Sequence, residues 1–211
     1  MAKVKAPLFS FGASGKLADA LVYFPWKGLN CVRSWVKPSN PKSTDQVTQR
    51  GYLAACVTAI HAALGLAANP LDEDDKNAYA ALASLFATPR TWFNTIVKLW
   101  IDCERLSDIP IIYSDGACTD PDPTDALLTI YINEETGSEL AAGKFYYGTS
   151  KTALINSIAG VITPGTSITL TDASGISGLV NGTKYYWQFR PDAADPCEGA
   201  DSGIYDFVAT A

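Results

Sequence analysis

The sequence GLVNGTKYYWQF, at residues 178–189, carries the clearest structural signal in the chain. Its Asn181-Gly182 pair is typical of a tight turn between two strands. The residues that follow, 184–190, include two Tyr, one Trp and one Phe, and aromatic residues are enriched in strands. The segment therefore predicts a turn followed by a β-strand.

Further candidate strands flank this segment on both sides. They are five short runs bounded by Gly, Asp, Asn or Pro, at residues 109–113, 126–132, 144–147, 167–171 and 204–209. Together with residues 184–190 they place six short strands in about 100 residues, which is typical of a β-sandwich.

The same segment resembles part of a fibronectin type III domain. In that family a Leu precedes a Tyr by six residues across a turn, and Leu179 and Tyr185 keep this spacing. The resemblance implies that the Tyr185 hydroxyl bonds back to the backbone near the turn, and that Leu179, Tyr185 and Trp187 define the fold. The side chains it turns toward the core are Tyr185, Trp187 and Phe189, and those it turns outward are Tyr186, Gln188 and Arg190.

Two other segments support this resemblance and one departs from it. Residues 144–150 resemble the C strand of the family, and residues 206–210 resemble its last strand. Residues 114–125, SDGACTDPDPTD, lack the usual Trp-containing B strand. Because the family is not catalytic, the resemblance implies a binding or spacing role.

The first half of the chain has a different pattern. Residues 1–18 are rich in Gly, Ser and Ala and predict an extended arm. Two β-prone runs, 20–26 and 29–36, flank Lys27-Gly28 and predict a hairpin, which we expect to pack on helices or on a neighbouring subunit because a lone hairpin is marginal in water. Three helices follow, starting near Ser43, Leu71 and Thr88-Pro89.

Short motifs in this half resemble, in their order, those of small structural proteins encoded by tailed phages and prophages. They are WKG at residues 26–28, VR at 32–33, PSNP at 38–41 and TDQ at 44–46. The resemblance implies a structural role in the virion. The residues that we expect to mediate assembly are Phe24, Trp26, Lys27, Arg33 and Trp35.

Charge also divides the chain. Residues 1–50 hold eight Lys or Arg and two Asp, a formal charge of +6, whereas residues 108–211 hold four basic and fourteen acidic residues, a formal charge of −10. This asymmetry predicts two domains. The helices predicted in the first half and the strands predicted in the second indicate an α+β fold. Residues 1–107 would form a basic assembly domain of arm, hairpin and three helices, and residues 108–211 an acidic, fibronectin type III-like β-sandwich.

Candidate catalytic and metal-binding residues are few. His61 is the single histidine, and neither a Ser-His-Asp arrangement nor a zinc-type cysteine spacing is present. We therefore predict no enzyme activity, no catalytic or metal site and no cofactor. Two alternatives stay open: the acidic loop from Asp115 to Asp125 is a solvated loop or a calcium site, and Cys118 and Cys197 are reduced or paired.

These patterns lead to a functional hypothesis, a non-enzymatic virion protein made in the host cytoplasm and attached as decoration to the phage head or capsid. Its N-terminal half would dock to other virion proteins or to sister copies, and the sandwich would project outward. The alternative is a tail or fibre adhesion module that binds host-surface carbohydrate through Tyr146, Tyr186 or Tyr205. The acidic half disfavours nucleic acid as a partner, and no apolar run reaches the length of a membrane span.

Overall fold

The computed structural model describes residues 2–3, 14–17, 20–37, 39–40, 42–133, 140–163, 167–170 and 175–210. The chain forms two compact units, Met1–Ser43 and Thr44–Ala211. Helices and antiparallel sheets are both present, so the fold is of mixed helix and sheet type, as the sequence predicts.

The first unit contains a four-stranded antiparallel sheet. Its strands are β1 (Ala2–Lys3), β2 (Gly15–Leu17), β3 (Leu21–Trp26) and β4 (Leu29–Ser34), in the spatial order β1-β4-β3-β2. β3 and β4 form the predicted hairpin, in which Lys27 and Gly28 have φ angles of 49° and 75°, as a type I′ turn requires. The predicted arm contributes β1 and β2, and its residues 1, 4–13 and 18 lie outside the described residues.

Pro25 occupies a position in β3 where its missing amide hydrogen costs little. β4 pairs with the whole of β3, but β2 pairs with it only from Leu21 to Tyr23. Within the described chain, the end of β3 that contains Pro25 therefore pairs with β4 on one side and with no strand on the other. Proline within a sheet is confined to edges and bulges, and β3 is an edge only over its last three residues, which include Pro25.

The second unit begins with three helices, α1 (Thr44–Leu64), α2 (Glu73–Ala83) and α3 (Trp92–Leu106). The sequence predicted that α3 begins at Pro89, but the helix begins later because Thr91 caps it: the Thr91 hydroxyl accepts a hydrogen bond from the Asn94 amide. Among the described residues, no helix has both the length and the apolarity that a membrane span needs.

Seven antiparallel strands follow in the described chain: β5 (Tyr113–Thr119), β6 (Leu127–Ile132), β7 (Gly143–Gly148), β8 (Asn156–Thr163), β9 (Ser167–Leu170), β10 (Lys184–Pro191) and β11 (Tyr205–Val208). They form one sheet in the order β11-β10-β7-β8-β9-β6-β5. β8, which the sequence did not predict, pairs with β7 through its first half and with β9 through its second half. β5 and β11 also approach each other, so the sheet nearly closes on itself.

An aromatic core fills the space inside this sheet. Phe145, Trp187 and Phe189 are each at most 1% exposed. The Phe145 ring centroid lies 5.2 Å from that of Phe189 and 5.6 Å from that of Trp187. Burial of each such side chain stabilises the fold by roughly 1.5–3 kcal/mol, so these residues contribute strongly to the stability of the second unit.

The helices share an interface with the sheet, and the compact units therefore do not divide after Ser107 as the sequence predicted. α2 packs on β5 and β11. The amide of Ile204 donates to the Ala78 carbonyl at 3.0 Å, and a Cβ added to Gly203 would lie 2.8 Å from Ala78. Contacts between residues so far apart in sequence leave no local pattern, so the sequence carries no signal for this interface. Independent folding of residues 108–211 stays a prediction.

Candidate functional site

One side of the first-unit sheet collects most of the residues expected to mediate assembly. Cross-strand partners point to the same side of a sheet. Three such pairs of β3 and β4 share a side: Val22–Arg33, Phe24–Cys31 and Trp26–Leu29. We call these six residues the aromatic face.

Half of the aromatic face is exposed: Trp26, Leu29 and Arg33 face solvent, Val22 and Phe24 are half-buried, and Cys31 is buried. Trp26 is 55% exposed and Leu29 is 45% exposed. Cys31 is the one buried residue among those of this unit whose burial the structure describes. A sheet buries its apolar side only when a second layer packs against it. The aromatic face is therefore suited to contact a partner.

Positive charges lie over the aromatic rings of this unit. The Arg33 guanidinium carbon is 5.6 Å from the centre of the Phe24 ring, and the Lys16 amine is 4.6 Å from the centre of the Trp35 ring. Contacts of this kind contribute roughly 0.5–1 kcal/mol at exposed sites. Trp35 directly follows β4, and Lys27 lies in the hairpin turn, so neither belongs to the aromatic face as defined.

The three residues that the fibronectin-like resemblance singled out are all buried in the second unit. Leu179, Tyr185 and Trp187 are 8%, 7% and 1% exposed. The Tyr185 hydroxyl accepts a hydrogen bond of 3.0 Å from the Val180 amide. The Tyr185 ring stacks on Phe207, with ring centres 5.7 Å apart. This is the expected bond from a strand tyrosine to the backbone before the turn.

The resemblance implied that Gln188 faces solvent, but the structure buries it. Its side chain is 1% exposed, and its Nε2 donates to the Ser202 carbonyl at 2.7 Å. Its Oε1 accepts from Nε of Arg190 at 2.8 Å. The segment before β11 thus covers this side of β10, whereas Tyr186 and Arg190 are partly exposed.

A polar cleft of about 330 Å³ opens beside Arg190. The Arg190 guanidinium lies over the Tyr146 ring, 4.8 Å from its centre. Burial raises the pKa of Asp201, and the nearby charge of Arg190 lowers it. The lining residues are Tyr146, Arg190, Pro191, Asp192, Ala193, Glu198, Gly199 and Asp201. These residues offer both hydrogen-bond donors and acceptors to a polar ligand.

Tyr205, one of three tyrosines expected to bind carbohydrate, is buried and has a structural contact instead. It is 5% exposed, and its hydroxyl donates to Asp75 Oδ1 at 2.7 Å. Asp75 Oδ2 accepts from the amides of Asp72 and Asp115, both at 3.0 Å. Burial raises the pKa of Asp75, and the hydrogen bonds from Asp115 and Tyr205 lower it. Asp75 thus ties α2 to β5 and β11, a role that the sequence analysis missed.

The sequence offered one signal for Asp75. Asp72 and Asp75 form a capping box at the start of α2, in which each carboxylate accepts an amide hydrogen bond from the other end of the turn. This pattern places both residues at a helix start, but it carries no information on the strands that Asp75 meets.

The two alternatives left open by the sequence concern the acidic loop and the cysteines. Asp122 accepts hydrogen bonds from the Thr124 amide and hydroxyl, at 2.8 and 2.6 Å, and the described part of the chain contains no group of three acidic, His or Cys side chains arranged to hold a metal. Cys118 and Cys197 are not joined by a disulfide. Burial raises the pKa of the Cys118 thiol to about 12, so this thiol is protonated at neutral pH.

No protein-family model and no curated protein matches the chain. Among solved structures, the chain is similar to the sensor domain of the anti-sigma factor RsgI4 of Pseudobacteroides cellulosolvens. The TM-score is 0.31 with 14% sequence identity, over 49% of this chain and 76% of that one. A similarity at this level carries no conclusion about function.

Proposed function

We propose that this chain is a non-enzymatic structural protein of a tailed-phage virion, attached to the head or capsid surface through its first unit. The order of the motifs WKG, VR, PSNP and TDQ supports the phage assignment. The observation that carries the docking role is the aromatic face, on which the apolar residues Trp26 and Leu29 are exposed.

The composition of this surface fits an interface that becomes buried on assembly. Trp and Arg are enriched among the residues that dominate binding energy, and Trp26 and Arg33 are both exposed. The side chains of Trp26 and Leu29 together offer apolar area whose burial contributes on the order of 25 cal/mol per Å². The sheet also ends, within the described chain, in the short strands β1 and β2, and sheet edges can accept a further strand.

The second unit would be the displayed part, and we propose that its sheet folds at β8 into the two layers of a fibronectin type III-like sandwich. One layer would hold β5, β6 and β9, and the other β8, β7, β10 and β11. The strand order and the divided pairing of β8 support this arrangement. The hydrogen bond between Val180 and Tyr185 supports it as well.

Quantitative mass spectrometry of purified particles tests the proposed role. We expect peptides from both units in gradient-purified particles, at a fixed ratio to the major capsid protein, and in the head fraction after heads and tails are separated. A chain found in the cell extract but missing from the particles would overturn a virion role. A chain confined to the tail fraction would instead assign it to the tail.

The adhesion alternative is favoured by one observation, the cleft at Arg190. Guanidinium and carboxylate groups that share a cleft with an aromatic ring suit the hydroxyl groups and the apolar side of a sugar. Saturation-transfer NMR with a panel of glucose, galactose, mannose, rhamnose and N-acetylglucosamine tests it. This alternative requires a signal that Arg190→Ala abolishes, and it fails if none of the five sugars gives a signal.

A further inference from the structure

The two compact units carry opposite charges. Residues 1–43 hold seven Lys or Arg and one Asp, a formal charge of +6. Residues 44–211 hold nine basic and twenty-one acidic residues, a formal charge of −12. Fields of opposite sign on two units of one chain allow one copy to attract another.

Acidic residues of the second unit are concentrated in one region. Residues 106–143 hold eight Asp or Glu and no Lys or Arg. Three of these acids, Asp115, Asp120 and Asp125, are exposed along β5 and in the loop that follows it. We call these three residues the acidic edge. Because residues 106–143 contain no Lys or Arg, no cation that is close in sequence offsets their negative charge.

The cations of the first unit are placed for contact with such a surface. Arg33 and Lys16 are exposed and lie over the rings of Phe24 and Trp35. A guanidinium or amine that already rests on a ring has lost part of its conformational freedom, so a carboxylate can pair with it at a lower entropic cost. Trp26 and Leu29 beside them supply apolar area. An acidic partner with some apolar surface fits this combination.

We propose that the aromatic face, with Lys16, binds the acidic edge of a second copy of this chain, so that copies associate head to tail. The inference rests on the proposed function, in which this face is the docking surface. Because the two contacting surfaces differ, the interface is heterologous, and each pair of copies keeps one unused surface of each kind. Nucleic acid fits the same cations less well, since the attached unit of charge −12 repels phosphate.

Two complementary variants of the full chain test the contact. Lys16→Glu/Arg33→Glu reverses the charge of the basic surface. Asp115→Asn/Asp120→Asn/Asp125→Asn neutralises the acidic edge, and Asn is tolerated at positions 115 and 120, where φ is 48° and 47°. Arg105→Glu/Lys151→Glu makes the same charge change as the first variant, but on the second unit, and serves as its control.

Sedimentation velocity reads out the association. We expect wild type and control to form concentration-dependent oligomers at about 50 mM NaCl. The dissociation constant should rise at least about tenfold at about 500 mM NaCl. Each test variant alone stays monomeric. An equimolar mixture of the two forms dimers and nothing larger, because only one basic surface and one acidic edge remain intact in each pair.

Three outcomes overturn the inference. The first is a wild type that sediments as a monomer at every concentration and salt. The second is a mixture of the two variants that does not dimerise. The third is a fluorescent single-stranded oligonucleotide that binds wild type and not Lys16→Glu/Arg33→Glu while the protein stays monomeric. The proposed function fails separately. If wild type is monomeric but Lys16→Glu/Arg33→Glu is lost from particles, the docking role holds and the partner is another virion protein.

Discussion

The hydroxyl of Tyr185 lies 3.0 Å from the amide nitrogen of Val180, five residues earlier and on the far side of the Asn181-Gly182 turn. The bond fixes the start of β10 against the preceding segment. Leu179, next to Val180, is buried in the same core as Tyr185. A local hydrogen bond and a buried Leu thus hold the segment before the turn against the start of β10.

Removing this hydroxyl should lower stability. Tyr185→Phe leaves the Val180 amide without its acceptor, and we expect a loss of about 1–2 kcal/mol in the free energy of unfolding. Tyr186→Phe, on the opposite side of β10, should cost less than about 0.5 kcal/mol. Urea unfolding of the full chain measures both. Equal losses would mean that the hydroxyl bond contributes nothing specific.

Leu179→Ala tests the buried side of the same turn. The side chain is 8% exposed, and its truncation should cost about 2–5 kcal/mol, because it removes buried apolar area and leaves a cavity. Val180→Ala is the matched control, since Val180 is 62% exposed. A loss for Leu179→Ala no larger than that of the control would contradict the assigned core.

Two glycine substitutions should have opposite effects on stability, because one glycine is closely packed against α2 and the other has open space around it. A Cβ at Gly203 would lie 2.8 Å from Ala78, so Gly203→Ala should destabilise by about 1–3 kcal/mol. Gly51 lies in α1 with nothing within 4 Å of an added Cβ, so Gly51→Ala should stabilise by about 0.5–1 kcal/mol. Thermal and urea unfolding compare the two. A neutral Gly203→Ala would show that helix and strand are not in close contact.

The carboxyl of Asp201 should make stability depend on pH. Burial raises its pKa above the ordinary value of 3.8, against the lowering effect of Arg190. A group whose pKa is higher in the folded state stabilises fully below its unfolded pKa, and this contribution is lost as pH rises through the folded pKa. Asp201→Asn should therefore match wild type in acid and gain stability relative to it toward neutral pH.

Urea unfolding at several pH values between about 3 and 7 measures this difference. Asp45→Asn is the control, since Asp45 is exposed at the start of α1. A wild-type-to-variant difference that stays constant with pH, or that changes equally for the control, would rule out the assigned role of Asp201.

Much of the fold follows from local patterns in the sequence. The Lys27-Gly28 hairpin, the three helices and the Tyr185 strand all have signals within a few residues, such as a turn pair, a capping residue or an aromatic alternation. β8 was missed because its sequence, NSIAGVIT, contains small residues and a central Gly160. A Cβ at position 160 would lie 2.9 Å from the Ile168 side chain. The need for glycine inside this strand is therefore visible only in the folded chain.

Side-chain partners from distant segments were harder to predict. Gln188 occupies an outward position in the alternation of β10, yet its side chain donates a hydrogen bond to the Ser202 carbonyl and is buried. Tyr205 occupies an inward position in the alternation of β11, and its hydrogen-bond partner Asp75 is 130 positions away in the sequence. At the aromatic face the sequence named Phe24, Trp26 and Arg33, and the hairpin register brings these three to one side. The register followed from the turn, whereas the distant partners had no local signal.

We propose that the chain enters the particle through its aromatic face, and the number of copies per particle tests this most directly. In cells that assemble the particles, the chain is replaced by Phe24→Ala/Trp26→Ala or by Ile155→Ala/Val180→Ala, which truncates two exposed apolar residues of the second unit. Copies per purified particle are counted by mass spectrometry with isotope-labelled peptides. We expect the copy number to fall at least about tenfold for Phe24→Ala/Trp26→Ala, equivalent to about 1.4 kcal/mol, and to stay unchanged for the control. Equal copy numbers for the two variants, both expressed and folded, would contradict it.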